Sequence, residues 1–465
     1  MFNRRQWLGG AADLGAVALA WMAARDARAG SESSVLVPHH QPRAKRIIQI
    51  FNPGGVSHVD TFDYKPELIK RAGQDAAGFK VDTFFGRPGR LMPSPFAFAQ
   101  HGQTGAWVSD LFPYLARQVD HLTFLHGMVS KSPNHTPAAF QLNSGFIQEG
   151  FPCLGSWLSF ALGRSSDNLP TFAVLPDPRG LPAGGSVNWS NGFLPAEHQG
   201  VAFRSRGILV DDLERPADVS AVSRGRALEF VRSLDERLAQ TDQSDTSIRA
   251  RMEAYVLAGK MQASIPEAAN LDAEGAATRR MYGVDDPLVG PTARNFLLAR
   301  RLVERGVRFV QVIHGGAFGS PRINWDGHED ISVNHRVQAR LVDQPVAALL
   351  TDLRARGMMD DTLVLWTTEF GRTPITEGVG AKGLDHHPLG FTMWMAGAGL
   401  KPGLHHGITD DFGFAPVEGK TTVYDFHATV LHLLGLDHHK VTFYHNGARR
   451  RLTDVHGEII SDILV

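Results

Sequence analysis

The run TLVLWTTEFGRTP, residues 362–374, decides the fold. Its first six residues carry no charge and mix threonine, leucine, valine and tryptophan, which predicts a strand over 362–367 buried on both faces. The next seven turn polar, with Glu369 and Arg372 set among Gly371 and Pro374, the composition of a loop. A doubly buried strand that ends in charged side chains is the unit of a parallel sheet, whose ligand crevice lies at the strands' carboxyl ends.

The same unit recurs to either side. Residues 46–51 (RIIQIF) run into Asn52-Pro53-Gly54-Gly55, and residues 307–313 run into His314-Gly315-Gly316. Further strands are expected over 122–125, 170–175 and 391–396, and helices over 136–143, 293–305, 335–356 and 424–434. Strands alternating with helices require crossover connections, hence a largely parallel sheet covered on both faces. Leu228, Val231, Leu234 and Leu238, at steps of three or four, predict amphipathic helices within 219–261. The stretch 176–207 is rich in Gly, Pro and Asn and reads as loops over the crevice. Residues 30–465 are expected to form a single domain with a loop-rich and helical insertion around 176–290.

The first 29 residues read differently. Arg4-Arg5 precedes an apolar run from Leu14 to Met22, and Ala27-Arg28-Ala29 offers a small-x-small cleavage site. This predicts a twin-arginine export signal and a periplasmic or secreted protein. The run is shorter than the roughly 20 apolar residues that span a bilayer, so no stable membrane span is expected after cleavage. An uncleaved N-terminal anchor is the alternative. Cys153 is the sole cysteine, so no intrachain disulfide can form. With 47 Lys and Arg against 48 Asp and Glu, and no long basic run past the first residues, nucleic acid is not an expected partner.

Of 21 histidines, 13 lie at or after His314, which points to chemistry in the C-terminal third. Four predicted strand-end loops each deliver acid or imidazole. They hold His58 and Asp60, then Asp326 and His328, then Glu369, and last Asp385, His386 and His387 in the loop Gly383–Gly390. Neutral imidazole and carboxylate together suit a divalent ion such as Zn, Mn, Ca or Mg. Asp326 and His328, two apart on an extended loop, can face one ion, and Pro388 stiffens the last loop. Glu369 has a second reading, a buried pair with Arg372. His135, at the start of the helix expected after 122–125, reads as a cap or an oxyanion donor. His427, His432, His438 and His439 read as packing or surface residues.

Several of these motifs carry a resemblance. Gly54-Gly55-Val56-Ser57-His58-Val59-Asp60-Thr61-Phe62-Asp63, Trp325-Asp326-Gly327-His328, Thr368-Glu369-Phe370-Gly371-Arg372-Thr373-Pro374, Gly383-Leu384-Asp385-His386-His387 and the ending Arg451–Gly457 resemble the domain-of-unknown-function 1501 family of exported bacterial proteins. That family is related to the alkaline phosphatase and sulfatase-like superfamily. The resemblance implies a three-layer α/β/α sandwich with a one- or two-metal centre, and a metal-dependent hydrolase of anionic esters, either a sulfated or phosphorylated glycan or a simpler ester. A non-catalytic, metal-stabilised binding or scaffold protein of the cell envelope is the other reading. By position, Asp326 and His328 resemble the superfamily's metal pair at shorter spacing, and His386 its late histidine, with Asp385 or His387 as neighbours. Glu369 stands where an aspartate is usual, and Phe370 replaces a histidine. Asn52 holds the first strand end where that superfamily has an aspartate, with Asp60 further along. Arg372 is implied to neutralise the substrate's anion, and the loop 130–136 falls where the superfamily's nucleophile is expected, which implies Ser132 or Thr136 as the hydroxyl, with His135 as the alternative.

Overall fold

The computed structural model describes residues 36–75, 89–204, 207, 210, 220–241, 260–261, 264–316, 322–378 and 380–465. The expected export signal, residues 1–29, and the stretch between residue 241 and Lys260 lie outside the described residues. Among the described residues no helix is long and apolar enough to cross a membrane.

The strands that organise the chain are β1 (Arg46–Phe51), β2 (Thr123–Val129), β3 (Phe172–Leu175), β4 (Val201–Ala202), β5 (Phe309–Ile313), β6 (Thr362–Thr367), β7 (Gly371–Thr376), β8 (Leu384–His387), β9 (Phe391–Gly397), β10 (His405–His406) and β11 (Thr421–Thr422). All but β7 and β8 form one nine-stranded sheet in the order β10-β2-β9-β6-β1-β5-β3-β4, with β11 also paired to β2. β1 lies parallel between β5 and β6, with Ile50 opposite both Val312 and Trp366. β9 is antiparallel to its neighbours β6 and β2. The sheet is therefore largely parallel, as the doubly buried strands require.

Alternation along each strand divides the core in two. Ile48, Ile50, Val310, Val312, Val364 and Trp366 face one layer, where α4 (Gly290–Glu304) and α5 (Ile331–Ala355) pack. Ile47, Phe51, Phe309, Ile313, Leu363 and Leu365 face the other, against α2 (Leu154–Leu162) and α6 (Val423–Leu433). Successive side chains point to opposite faces, so an uninterrupted apolar strand must be covered twice. The result is a three-layer α/β/α sandwich. From the stretch 176–290, β4 adds an edge strand beside β3, and α3 (Ala221–Thr241) occupies the first amphipathic segment.

Two local features set up the site. His135 opens α1 (His135–Ser144), which Gly145 ends at φ +81°. Asp330 caps α5 by accepting from the backbone N–H groups of Ser332 and Val333, fixing where the 324–329 loop turns into helix.

One expectation is corrected. Residues 371–376 and 384–387 are not loops but the antiparallel hairpin β7–β8, with His386 opposite Arg372 and an irregularity between Leu384 and His386. Leu-Asp-His-His has no strand-like alternation, and its extended form comes from the partner strand rather than from propensity.

Candidate metal centre

The loops after β1, β2, β5 and β6, together with β8 just ahead of the antiparallel β9, meet at one edge of the sheet. Asp326 is their focus, 1 % exposed. Its Oδ1 lies 2.8 Å from His328 Nε2 and 3.3 Å from both His135 Nε2 and His386 Nε2. The Nε2 atoms of His328 and His386 are 2.8 Å apart. These four side chains are buried, and each can offer one ligand atom within 4.8 Å of the others. His135 is thus brought to the carboxylate and imidazoles as a fourth donor.

Around them stand further charges. His135 Nδ1 is 2.7 Å from Glu369 Oε1, which also accepts the Gly54 N–H at 2.7 Å. His328 Nδ1 is 2.9 Å from Glu377 Oε1. Asp385 groups with His328 and Glu377, and its Oδ1 accepts the N–H of His386 at 2.7 Å. Glu369 pairs with His135 rather than with Arg372.

Arg372 is wholly buried. Its guanidinium donates to Asp326 Oδ1 at 2.5 Å, to the carbonyls of Gly55 and Leu384 at 3.0 Å each, and to that of Gly54. It also reaches His328 Nε2 at 3.4 Å. The arginine read from sequence as an anion-binding group is committed to protein acceptors. Arg322 reaches the other oxygen of Asp326 from a partly exposed position, and it pairs with Glu329 at 2.7 Å as well.

Burial sets the protonation states. It holds His328 down to about 4, with Arg372 adding to the effect, and it lowers His135 and His386 as well. All three imidazoles are neutral at pH 7. Burial lowers Arg372 only to about 10, so it stays cationic. Three neutral imidazoles and a carboxylate converging in a buried volume are the donors that a divalent cation takes, so the residues fit a metal. This His and Asp cluster could hold one.

The remaining predicted residues lie in other contacts. His58 Nε2 sits 2.6 Å from the Gly413 carbonyl, and its pKa is lowered by burial. Asp60 accepts from Ser57 Oγ at 2.5 Å, and burial raises its pKa. His387, beside His386 but on the other side of β8, reaches the Phe414 carbonyl. Ser132 is buried, and its Oγ accepts the Asn134 N–H at 3.1 Å. Thr136 is exposed on the first turn of α1. Of the residues read as packing, His427 is buried and hydrogen-bonded to the Leu142 carbonyl at 2.8 Å.

Sequence reasoning missed Glu377 and Arg322. Glu377 follows β7 directly, and the missed hairpin hid it. Arg322 lies four residues before Asp326 in a loop whose path no periodicity announces. The glycines that admit this crowding were legible only as loop formers. Gly54 sits at φ +114°, where a Cβ would stand 2.5 Å from the Asp326 nitrogen, and a Cβ on Gly383 would overlap the His328 carbonyl.

The fold and the site define a three-layer α/β/α protein with a buried three-histidine, one-aspartate centre at the carboxyl edge of its sheet. The chain belongs to the family described as protein of unknown function DUF1501, whose model matches residues 44–464. No protein of curated function matches it by sequence. Among solved structures it is similar to a Pseudoalteromonas sulfatase at 12 % identity, over 84 % of this chain and 68 % of that one, with a TM-score of 0.35. It is also similar to a lipoteichoic acid synthase of Listeria monocytogenes at 10 % identity, over 92 % of this chain and 81 % of that one, with a TM-score of 0.34. An alkaline phosphatase from the Antarctic bacterium TAB5 shares 10 % identity over 79 % of this chain and 94 % of that one, with a TM-score of 0.32.

Proposed function

We propose that this chain is a metal-dependent hydrolase of sulfate or phosphate esters, acting outside the cytoplasm. The observation that carries the reading is the convergence of His135 Nε2, Asp326 Oδ1, His328 Nε2 and His386 Nε2 in a buried cluster. Three nitrogens and one oxygen favour a borderline ion of the Zn or Mn kind over Ca or Mg, which take oxygen shells. When bound there, the ion would polarise an ester oxygen and lower the pKa of a water. The chain's own residues supply the rest. Arg322, partly exposed and paired with Asp326 and Glu329, is the cation of the centre nearest to solvent and the one proposed to meet an anionic ester. Ser132, whose Oγ accepts from Asn134, keeps its own proton to donate and is the hydroxyl proposed for nucleophilic attack. Export rests on Arg4-Arg5 and the apolar run that follows.

The test is hydrolysis of p-nitrophenyl sulfate and p-nitrophenyl phosphate by protein stripped with chelator and reloaded with Zn2+ or Mn2+. Turnover should require the ion and disappear in His386→Ala. One observation favours a second reading, a non-catalytic metal-stabilised envelope protein: the five N–H groups of Arg372 face Asp326, three backbone carbonyls and His328 Nε2, so none is turned to a substrate. Folded, metal-loaded protein that turns over neither ester would decide for that reading.

A further inference from the structure

We infer that Glu369 and Glu377 are positioning residues that fix the ring tautomers of two histidines and so aim their lone pairs at a single divalent ion. The inference rests on the metal reading above.

A neutral imidazole carries one proton on two nitrogens, and only the bare nitrogen can ligate a cation. His135 places Nδ1 at 2.7 Å from Glu369 Oε1, and His328 places Nδ1 at 2.9 Å from Glu377 Oε1. A carboxylate accepts and cannot donate, so the His135 proton must sit on Nδ1, and the 2.9 Å ion-pair distance to Glu377 favours the same nitrogen in His328. Both rings then turn a bare Nε2 toward Asp326 Oδ1, His135 from 3.3 Å and His328 from 2.8 Å. His386 presents its own Nε2 2.8 Å from that of His328. Arg372 already sets a cation against Asp326 Oδ1 and His328 Nε2, and a divalent ion would add its charge where His386 Nε2 converges as well.

The same geometry limits the count to one ion. His328, Glu377 and Asp385 form a second group of possible ligands, yet that group would need His328 Nδ1, which carries the proton given to Glu377. One ring cannot serve both groups without losing that proton.

The probe is Zn2+ alone, with stoichiometry from elemental analysis after dialysis and affinity from competition with a chromophoric chelator. Wild type should hold one Zn2+ per chain. Glu377→Ala should weaken binding 10- to 100-fold, the usual effect of losing a carboxylate behind a metal-bound histidine. Glu377→Gln, whose amide oxygen can still accept from Nδ1, should recover most of the loss, which a merely structural or charge role would not allow. Long-range 1H–15N spectra of histidine-labelled, metal-free protein give a readout free of metal and activity. They should show Nδ1-protonated rings for His135 and His328, and a change for His328 in Glu377→Ala. Two Zn2+ per chain, an affinity in Glu377→Ala within twofold of wild type, or Nε2-protonated rings in wild type would each overturn the inference. Wild type that shows the Nδ1 tautomers but takes up no Zn2+ would overturn the metal reading instead.

Discussion

Replacing Arg372 by methionine should unfold much of the molecule's stability margin. The guanidinium is wholly buried and donates to the carbonyls of Gly54, Gly55 and Leu384 and to Asp326 Oδ1. Methionine fills much of the volume and donates nothing. Each carbonyl left buried without its donor costs about 1–3 kcal/mol, and breaking a buried ion pair from one side costs about 3–5 kcal/mol. These contributions overlap because Arg322 still holds the other oxygen of Asp326. With Asp326 still held by Arg322, the three carbonyls set a net loss of about 3–9 kcal/mol, against a total stability of about 5–15 kcal/mol for a typical domain. The buried tryptophans Trp325, Trp366 and Trp394 report the transition, so urea unfolding followed by fluorescence measures it. Arg372→Lys keeps the charge but not the planar fork, and should fall between the two. A methionine variant within about 1 kcal/mol of wild type would show that Arg372 does not staple the Gly54–Gly55 turn to β8 and Asp326.

Gly54→Ala should lower the yield of folded protein and weaken Zn2+ uptake at least tenfold, because its Cβ meets the backbone of Trp325 and Asp326 at a φ of +114°; normal folding and uptake would contradict the close approach. Burial holds His126, His314, His387 and His427 down to about 4, against an ordinary value of 6.5. Between those values the unfolded chain binds protons that the folded one refuses, so stability is full above pH 6.5 and is lost as the pH falls toward 4. The melting temperature of metal-free protein should accordingly be several degrees lower at pH 5 than at pH 7.5, and a flat or rising profile would contradict it. In thermal melts, Zn2+ should raise the melting temperature of wild type but not of His386→Ala, since a ligand that binds only the folded state stabilises it; an equal rise in both would remove His386 from the donor set.

The sheet was legible wherever a strand is buried on both faces. RIIQIF past its opening arginine, and TLVLWT throughout, are uncharged because both faces pack, and both fall where they were read. The hairpin β7–β8 was not legible, since it stands off the main sheet and Leu-Asp-His-His owes its extension to Arg372 and Gly371 across the pair. Adjacent histidines show the same limit. His386 and His387 are equivalent as letters, but strand geometry sends one toward Asp326 and the other toward Phe414.

By itself the sequence determined the class of fold and the edge of the sheet where acid and imidazole collect, because periodicity and chain order govern both. The tertiary structure decided which donors share a point. His135, the Asp326–His328 loop and His386 are three separate segments, and Glu369 and Glu377 reach two of those rings from further elements. The approach of side chains so distant along the chain depends on strand order, hairpin pairing and the room left by Gly54 and Gly383, none of which is a property of any local run of residues.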